Sequence, residues 1–256
     1  MIEYGALSRS AVGSAAGTAQ ATSQARTTKE DPRVARPQQE RAAKTRDRIL
    51  VGAASVFANH GFGASINDIV KASGITQGSI YYHFPTGKIA IAEAVVHAGL
   101  LLGEAGTVQA SGLQGAVDLS ISVAVLLPKV PAVRAGTRLA TEPGTPFYGL
   151  LWKNYIPYAQ GMLEHAQNQG ELLPGVKPDE LALQWIAAWT GHDVMHRLDP
   201  EKIPAAIAGL NRWIAAMCAT NKTLRELDLS VERGEELTAG HPMLLVAQAV
   251  FQDKDD

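Results

Sequence analysis

Residues 76–84 read Thr-Gln-Gly-Ser-Ile-Tyr-Tyr-His-Phe, and the order of side chains in this stretch decides the fold. Small and polar residues come first, and four aromatic or imidazole rings follow in succession. This order is typical of a short helix whose N-terminal end enters a DNA groove, where the first turn must be slim and polar. Thr76 is a good N-cap, and Pro85 ends the helix. Ile80 and Phe84 lie one helical turn apart, which predicts that they form its buried side.

The residues before this stretch predict the two helices that complete a helix-turn-helix domain. Apolar residues recur at helical spacing over 49–57, and Gly61 ends that helix. Ser65 and Asp68 have the spacing of a capping box, with Asp where Glu is usual, and Gly74 ends the second helix. Because the Gly-containing turn that follows is so short, the second and third helices must cross steeply.

Composition limits the class of protein. With 256 residues, of which 46% are hydrophobic and 19% charged, the chain can bury the core of one or two domains. Ala and Leu outnumber β-branched residues in the apolar runs, so we expect an all-α fold. No apolar run reaches the roughly 18 residues of a membrane span, and the N-terminus lacks a signal-peptide core. Cys218 is the single cysteine. We therefore expect a cytoplasmic protein with no membrane association, no cofactor and no cysteine-based metal site.

Charge is distributed unevenly along the chain. Residues 1–90 carry 11 Lys and Arg against 6 Asp and Glu, whereas residues 91–256 carry 12 against 19. A basic front and an acidic rear fit a head that binds a polyanion on a body that does not. Chance clustering is the alternative.

The chain divides into four segments. Residues 1–38 lack periodic apolar residues and are expected to form a disordered tail, with the first helix starting near Pro37 to Arg41. We assign 39–88 to the helix-turn-helix domain, 89–222 to a ligand-binding and dimerisation domain and 223–256 to a C-terminal extension. After a long fourth helix through Leu102, the pattern predicts helices near 112–127, 131–140, 146–169, 178–197 and 201–220.

The first turn of the third helix offers groups suited to reading DNA. Gln77 can make a bidentate pair with adenine, Gly78 lets the backbone come close, and Tyr81 can reach a phosphate or a thymine methyl. Ser65 and Thr76 stand at helix N-termini, which favour phosphate oxygens. A small helical lobe with an aromatic core is the alternative, and Tyr82 fits either reading. The candidate DNA-binding residues are Arg46, Ser65, Thr76, Gln77, Gly78, Ser79, Tyr81, Tyr82, His83 and Lys88.

Residues 112–197 combine apolar helices with a few large rings and neutral hydrogen-bonding groups, the composition of a pocket for a small molecule. Rings recur at helical spacing on two consecutive predicted helices, including the pair Trp185 and Trp189. Ordinary core packing is the default for any single one of them. The candidate ligand-binding residues are Thr137, Tyr148, Trp152, Tyr155, Trp189 and Thr190.

The helices predicted at 178–197 and 201–220 are apolar on more than one side. A helix that is apolar nearly all round must be buried on several sides, so we expect a four-helix interface in a homodimer. The residues behind this expectation are Trp185, Ile186, Trp213, Ile214 and Met217.

The run His192-Asp193-Val194-Met195-His196 resembles the zinc-hydrolase arrangement H-E-x-x-H, with Asp in place of Glu. No third ligand follows, so we expect a polar patch at the pocket floor or at a helix–helix contact and predict no metal site. The chain also lacks a nucleophile elbow and a phosphate-binding glycine loop, which disfavours an enzyme. A zinc hydrolase with an accessory DNA-binding lobe stays a distant alternative.

Residues 49–88 resemble the DNA-binding pattern of the TetR family of bacterial one-component repressors. The most specific parts are Gly61-Phe62, Gly74-Ile75-Thr76 and residues 78–84. The resemblance implies a dimer that binds double-stranded operator DNA and releases it on binding a small molecule.

Two positions depart from the family pattern. Gln77 stands where many relatives carry Lys, and Ile89-Ala90 replace the usual acidic pair after Lys88. The departure at Gln77 puts a phosphate or guanine contact in doubt, so the operator is expected to differ.

Residues 131–141, followed by Trp152 on a long helix, are similar to the γ-butyrolactone receptor branch of that family. The resemblance implies a repressor of antibiotic or signal biosynthesis genes that senses a diffusible lactone, butenolide or furan, with Trp152 packing on the ligand. The alternatives are a general sensor of drugs or metabolites that controls efflux or catabolism, a relative without a ligand, and an architectural DNA-binding protein.

Overall fold

The structure, a computed structural model, describes residues 32–100 and 111–240, with side chains from residue 39 onward. Within these ranges the chain forms eleven α-helices, two 3-10 turns and no strand, apart from one isolated bridge between Leu172 and Ala219. The all-α expectation is confirmed. The helices are α1 (Pro32–His60), α2 (Ile66–Ser73), α3 (Gln77–His83), α4 (Lys88–Leu100), α5 (Gly112–Lys129), α6 (Pro131–Thr141), α7 (Leu150–Asn168), α8 (Pro178–Met195), α9 (Ile203–Cys218), α10 (Asn221–Glu226) and α11 (Val231–Thr238).

The five predicted body helices are confirmed as α5 to α9, with most ends within about two residues. α7 begins at Leu150 and not near 146, because Gly149 adopts a left-handed conformation (φ +88°) that stops a helix from continuing backwards. α1 begins at Pro32, before the expected start. The rest of the predicted tail, the end of the fourth helix at Leu102 and an apolar run at 243–251 lie outside the described residues.

Helices α1 to α3 form the head around a core that is fully buried. Its centre consists of Phe57, Ile69 and Ile80. The capping box is confirmed, since Ser65 accepts the Asp68 backbone N–H while the Asp68 carboxylate accepts the Ser65 backbone N–H. α1 and α2 approach each other closely at Gly52, where a Cβ atom would lie 2.7 Å from the Ser73 nitrogen.

Helices α4 and α6 connect the head to the body. They cross at two glycines, Gly99 on α4 and Gly136 on α6, where a Cβ atom on Gly99 would collide with the Ala132 carbonyl oxygen. Because any side chain at Gly99 would meet backbone, the close crossing depends on glycine. The backbones of α4 and α6 are thus in direct contact at this crossing.

Helix α5 is the central element of the body and packs against α7, α9 and α11. The described part of the predicted C-terminal extension packs on its outer side. Gly234 of α11 lets the two helices approach closely at Ile121 and Val125, and Arg233 binds the carboxylate of the fully buried Asp118 through two hydrogen bonds of 3.1 and 2.8 Å. The described residues of the extension thus pack against the body.

Among residues 32–100 and 111–240, no single helix is long and apolar enough to cross a membrane. Helices α5 and α6 together have the length and composition of a span, but the chain bends by 109° between them. Most residues of both helices are buried within the protein.

Candidate functional site

The first turn of α3 is exposed and carries no bulky apolar side chain. Thr76 caps the helix, its hydroxyl oxygen accepting the Ser79 backbone N–H at 3.3 Å. Gln77 and Gly78 are exposed, and a Cβ atom on Gly78 would meet no other atom within 4 Å. A helix end that enters the major groove must lack bulky side chains, and the first turn of α3 meets this requirement.

The aromatic residues of α3 divide between its two sides. Ile80 and the following Phe84 are buried, as expected. Tyr81 and Tyr82 are exposed to 44% and 80%, so Tyr82 lies on the surface and not in the core. The Tyr81 ring packs against Gly87, where a Cβ atom would lie 3.0 Å from it. The exposed side of α3 therefore carries two phenol rings beside its bare first turn.

Several of the candidate DNA-binding residues already have partners within the head. The Ser65 hydroxyl donates to the Asp68 carboxylate at 2.7 Å, and the Arg46 guanidinium lies 5.1 Å from the centroid of the Phe84 ring. His83 is half-buried, and burial together with the positive charge of Arg46 lowers its pKa. Both effects favour the neutral form of its ring.

Lys88, another candidate DNA-binding residue, also has its partners within the head. Its ammonium donates to the Phe62 carbonyl oxygen at 2.9 Å and lies 4.4 Å from the Phe62 ring centroid. The side chain is half-buried because this cation–π contact and hydrogen bond draw it against the head. The first residue of α4 is thereby fixed to the turn that follows α1.

The same turn is bound by the end of α6. The Glu142 carboxylate accepts the Phe62 backbone N–H at 3.0 Å. Arg138, one turn earlier, donates to the Asn59 and Ala58 carbonyl oxygens at 2.9 and 3.2 Å. These carbonyls lie at the negative end of α1, where a guanidinium is favourably placed. We call Arg138, Glu142 and Phe62 the head–body clamp.

The clamp was not predicted from the sequence. Arg138 lies within the run 131–141 that carries the branch resemblance, but its partners are 79 and 80 residues away in the chain. A basic and an acidic residue one turn apart near a helix end were the available signal, and this signal is common on exposed surfaces.

Helices α5 to α8 line a cavity that opens to solvent. Its wall is almost entirely apolar, as the walls of small-molecule sites usually are. Its residues are Ala116, Leu119, Ser120, Val123, Thr137, Leu151, Tyr155, Ala159, Trp185, Ile186 and Trp189.

The structure brings half of the candidate ligand-binding residues to this cavity. Thr137, Tyr155 and Trp189 are part of its wall. Tyr155 is half-buried, and the removal of its hydroxyl from solvent raises the pKa of the phenol. The hydroxyl donates to the carbonyl oxygen of Leu100, at the end of α4, at 3.0 Å. It also borders a larger, more open groove between α4 and α7, which includes Glu93 and His97.

Tyr148, Trp152 and Thr190 do not border the cavity and form a separate cluster. The Trp152 indole N–H donates to the Thr190 hydroxyl at 3.2 Å, and its ring meets Tyr148 edge-on at a centroid distance of 5.2 Å. Tyr148 is 52% exposed. Side chains three positions apart on a helix point in directions that differ by about 60°. Trp152 therefore faces α8, whereas Tyr155 faces the cavity.

A polar pair that was not predicted from the sequence consists of Ser120, on the cavity wall, and Asn211, behind it. The Ser120 hydroxyl donates to the Asn211 side-chain oxygen at 2.8 Å, and Trp185 donates to the same oxygen at 3.2 Å. Trp189 donates to the Ser120 carbonyl oxygen at 3.2 Å. Asn211 is fully buried. A polar Ser and Asn within otherwise apolar helices were the signal that could have identified this pair.

The histidine pair on α8 lies beside a buried ion pair. The rings of His192 and His196 are stacked with centroids 6.1 Å apart. The Asp193 carboxylate lies 3.3 Å from Arg197, which also donates to the Thr141 hydroxyl at 3.0 Å and so connects α8 with α6. Burial raises the pKa of Asp193, and Arg197 opposes that shift. Within the described residues, no group of three or more His, Cys, Asp or Glu side chains is arranged to hold a metal ion.

Helices α8 and α9 expose apolar residues at helical spacing. On α8 and just beyond it Leu183, Val194, Met195 and Leu198 are 50% to 94% exposed. On α9 Trp213 and Met217 are 64% and 63% exposed, whereas Trp185 and Ile214 are buried within the protomer. Of the residues expected at a dimer interface, Trp213 and Met217 therefore face outward. We call these exposed apolar residues the α8–α9 face.

Residues 49–95 match the family model of bacterial regulatory proteins of the TetR family. The chain is 34% identical over 169 residues to the A-factor receptor protein of Streptomyces griseus, a match that covers 63% of this chain and 58% of that protein. The chain thus spans less than two thirds of the length of this curated relative.

Solved structures extend the likeness over the body. TylP of Streptomyces fradiae, described as a TetR regulator, is 31% identical with a TM-score of 0.64, and the match covers 78% of this chain and 98% of that protein. A γ-butyrolactone receptor described as ArpA-like is 24% identical with a TM-score of 0.66 and covers 77% and 99%; this likeness concerns the fold alone. With a helix-turn-helix head and a helical body matched over nearly the whole of TylP, the chain belongs to the TetR family of bacterial regulatory proteins.

Proposed function

We propose that the protein is a ligand-released transcriptional repressor, a homodimer that binds a pseudo-palindromic operator and leaves it when a γ-butyrolactone-type signal enters the body. The observation that carries the proposal is the exposed side of α3. Gln77, Gly78 and Tyr82 are presented to solvent by a helix whose other side is buried in the head. A helix end without bulky side chains, followed by exposed phenol rings, is the surface that a helix entering the major groove presents to base edges and phosphates.

The ten candidate residues play different parts in the proposed DNA contact. Those on the exposed side of α3 reach base edges or the adjacent backbone, namely Gln77, Gly78, Tyr81 and Tyr82, and Thr76 and Ser79 present the helix N-terminus to phosphate. Ser65 does the same at α2. Arg46, His83 and Lys88, which have partners in the head, support the backbone contact and the position of α3.

The α8–α9 face is proposed as the dimer interface. Its residues include Trp213 and Met217, whose exposed area is large for side chains of this kind. A two-fold pairing of α8 and α9 buries the α8–α9 face of each protomer. It also places the two copies of α3 on one side of the dimer. Successive major grooves lie about 34–36 Å apart, so the spacing of the two helices determines operator affinity.

The cavity is proposed as the signal site. Its wall offers apolar surface and a few neutral polar groups, and none of its residues is charged. Similarity to the A-factor receptor, together with the fold shared with a γ-butyrolactone receptor, supports a lactone-type signal for this chain. A sensor of cationic drugs requires acidic wall residues, but Glu142 binds Phe62 and Asp193 binds Arg197. Thr137, Tyr155 and Trp189 are the proposed contacts, and the cluster of Tyr148, Trp152 and Thr190 supports the wall behind them.

Three contacts connect the cavity with the head. Tyr155, on the wall, holds the last described carbonyl of α4, and Lys88 fixes the first turn of α4 to Phe62. Thr137, also on the wall, lies next to Arg138 of the clamp. A ligand that favours one position of α6 and α7 therefore also favours one position of the head. Coupling of about 1–3 kcal/mol suffices for an effect of this kind.

The proposal is tested by selecting binding sites from a pool of random DNA duplexes with the purified full-length protein. We expect an inverted repeat whose half-sites are centred one helical turn, or a multiple of it, apart. Synthetic γ-butyrolactones with alkyl side chains should then release the selected duplex. Failure to enrich any duplex at low ionic strength contradicts DNA binding, and enrichment without release by any lactone contradicts the proposed signal.

A further inference from the structure

The wall of the cavity carries five side chains that can donate a hydrogen bond, and every one of them already donates to the protein. The indole N–H groups of Trp185 and Trp189 bind the Asn211 side-chain oxygen and the Ser120 carbonyl. The hydroxyls of Thr137 and Tyr155 bind the carbonyl oxygens of Arg134 and Leu100. The remaining donor is the hydroxyl of Ser120.

The direction of the Ser120 hydrogen bond follows from the chemistry of its neighbours. An indole N–H can only donate, so the Asn211 atom that faces Trp185 must be the amide oxygen. The Ser120 hydroxyl binds that same oxygen at 2.8 Å, and it must therefore donate as well. Its own lone pairs stay available. Donation to Asn211 also polarises the hydroxyl and makes it a better acceptor.

No side-chain donor is left elsewhere on the wall, and none of its residues carries a charge. All of its residues except Leu151, in the first turn of α7, lie far enough into their helices for the backbone N–H to bond the carbonyl four residues earlier. The Asn211 amide nitrogen has no partner in the described part of the chain, but Asn211 lies behind Ser120 and is not a wall residue. The side chains of the wall thus accept hydrogen bonds and do not give them.

We propose that the cavity selects a neutral, largely apolar molecule that carries a hydroxyl group, and that Ser120 accepts the hydrogen of this hydroxyl. This inference rests on the proposed function, since it specifies the ligand of the same site. A ketone or carboxylate oxygen that faces this wall loses its hydrogen bonds to water and gains no donor in return. The ring carbonyl of a lactone is accommodated at the opening of the cavity, where water can solvate it.

The experiment compares two synthetic γ-butyrolactones that differ only in whether one side-chain carbon bears a hydroxyl or a ketone. Affinity is measured by calorimetry and by tryptophan fluorescence with the full-length protein. We expect the alcohol to bind about tenfold more tightly, equivalent to about 1.4 kcal/mol. The Ser120→Ala variant should lose this preference while its affinity for the ketone is unchanged.

A matched control is Ser122→Ala on the same helix. Ser122 is buried and has no hydrogen-bond partner among the described residues, but it does not border the cavity. This variant should keep the preference for the alcohol.

Each other outcome overturns a defined part of the account. Equal binding of the two lactones, or tighter binding of the ketone, overturns the accepting wall and leaves the lactone function intact. A preference that persists in Ser120→Ala overturns the role of Ser120. If neither lactone binds a protein that still binds its selected duplex, the lactone function fails together with this inference.

Discussion

The Glu142 carboxylate, at the end of α6, accepts a hydrogen bond from the backbone N–H of Phe62, in the turn that follows α1, at a distance of 3.0 Å. Phe62 is also bound by Lys88 of α4, through its carbonyl oxygen and its ring. One residue of the head thus contacts both helices that connect it to the body. Because backbone groups of Phe62 are used on both sides, a shift of α6 or α4 must move the turn itself.

We predict that Glu142→Ala uncouples release from DNA binding. The substitution removes the carboxylate that holds the Phe62 N–H but leaves the exposed side of α3 unchanged. Affinity for the operator without ligand should stay within about threefold, because each head still folds around its own core. The ligand concentration needed for half-maximal release should rise about tenfold, since coupling of about 1–3 kcal/mol is at stake. Anisotropy of a labelled duplex gives both quantities, and Glu164→Ala, at an exposed carboxylate on α7, is the control. Unaltered release in the Glu142 variant contradicts the role of the clamp.

Gly78→Ala is expected to separate folding from DNA binding. A Cβ atom at this position meets nothing within 4 Å, and alanine favours a helix more than glycine does by roughly 0.5–1 kcal/mol. Stability against urea should therefore be equal or higher. Operator affinity should fall, because the added methyl group separates the helix backbone from the duplex. Gly161→Ala on α7, where a Cβ atom also meets nothing within 4 Å, should leave operator affinity unchanged.

The sequence predicted the head well because its signals are local. The capping box at Ser65, the cap at Thr76 and the stop at Gly74 each involve residues within a few positions of one another, and all three are present. The cavity was only partly predictable. Its polar pair joins Ser120 to Asn211 across 91 residues, and no spacing within one helix reveals such a contact. Trp152 was expected to face the ligand, but its indole N–H donates to Thr190 of α8. A small difference in the rotation of α7 about its axis determines whether this side chain points to the cavity or to α8, and the sequence does not specify that rotation.

Two ion pairs that join α5 to α11 should differ greatly in their effect on stability. Asp118 is fully buried against Arg233, whereas Lys129 and Glu235 are largely exposed and 3.4 Å apart. Removal of one partner from a buried pair leaves an uncompensated charge and costs about 3–5 kcal/mol, while an exposed pair contributes about 0–1 kcal/mol. Arg233→Ala should lower the free energy of unfolding by about 3–5 kcal/mol, and Lys129→Ala by about 0–1 kcal/mol. Urea unfolding measures both, and equal effects argue against α11 as a structural part of the body.

Trp213→Lys should convert the protein to a monomer. A charge at this exposed position of the α8–α9 face is not buried in the protomer, so the monomer should fold normally by circular dichroism. In a dimer the same lysine charge would be buried between two subunits without a partner, which strongly disfavours association. Sedimentation equilibrium reports the mass, and operator affinity should fall because one head contacts one half-site. Ile89→Lys, at an exposed apolar residue of α4, should remain dimeric. A Trp213 variant with unchanged mass contradicts the proposed interface.

The most direct test of the account is the affinity of the selected operator duplex for the double variant Gln77→Ala and Tyr82→Ala at fixed ionic strength. Both side chains are exposed on α3, so the variant should unfold at the same urea concentration as the unaltered protein. The account predicts that operator affinity falls more than tenfold while binding to an unrelated duplex changes little, because base contacts and not phosphate contacts are removed. Undiminished affinity for the operator in a folded, dimeric double variant would mean that α3 does not read DNA.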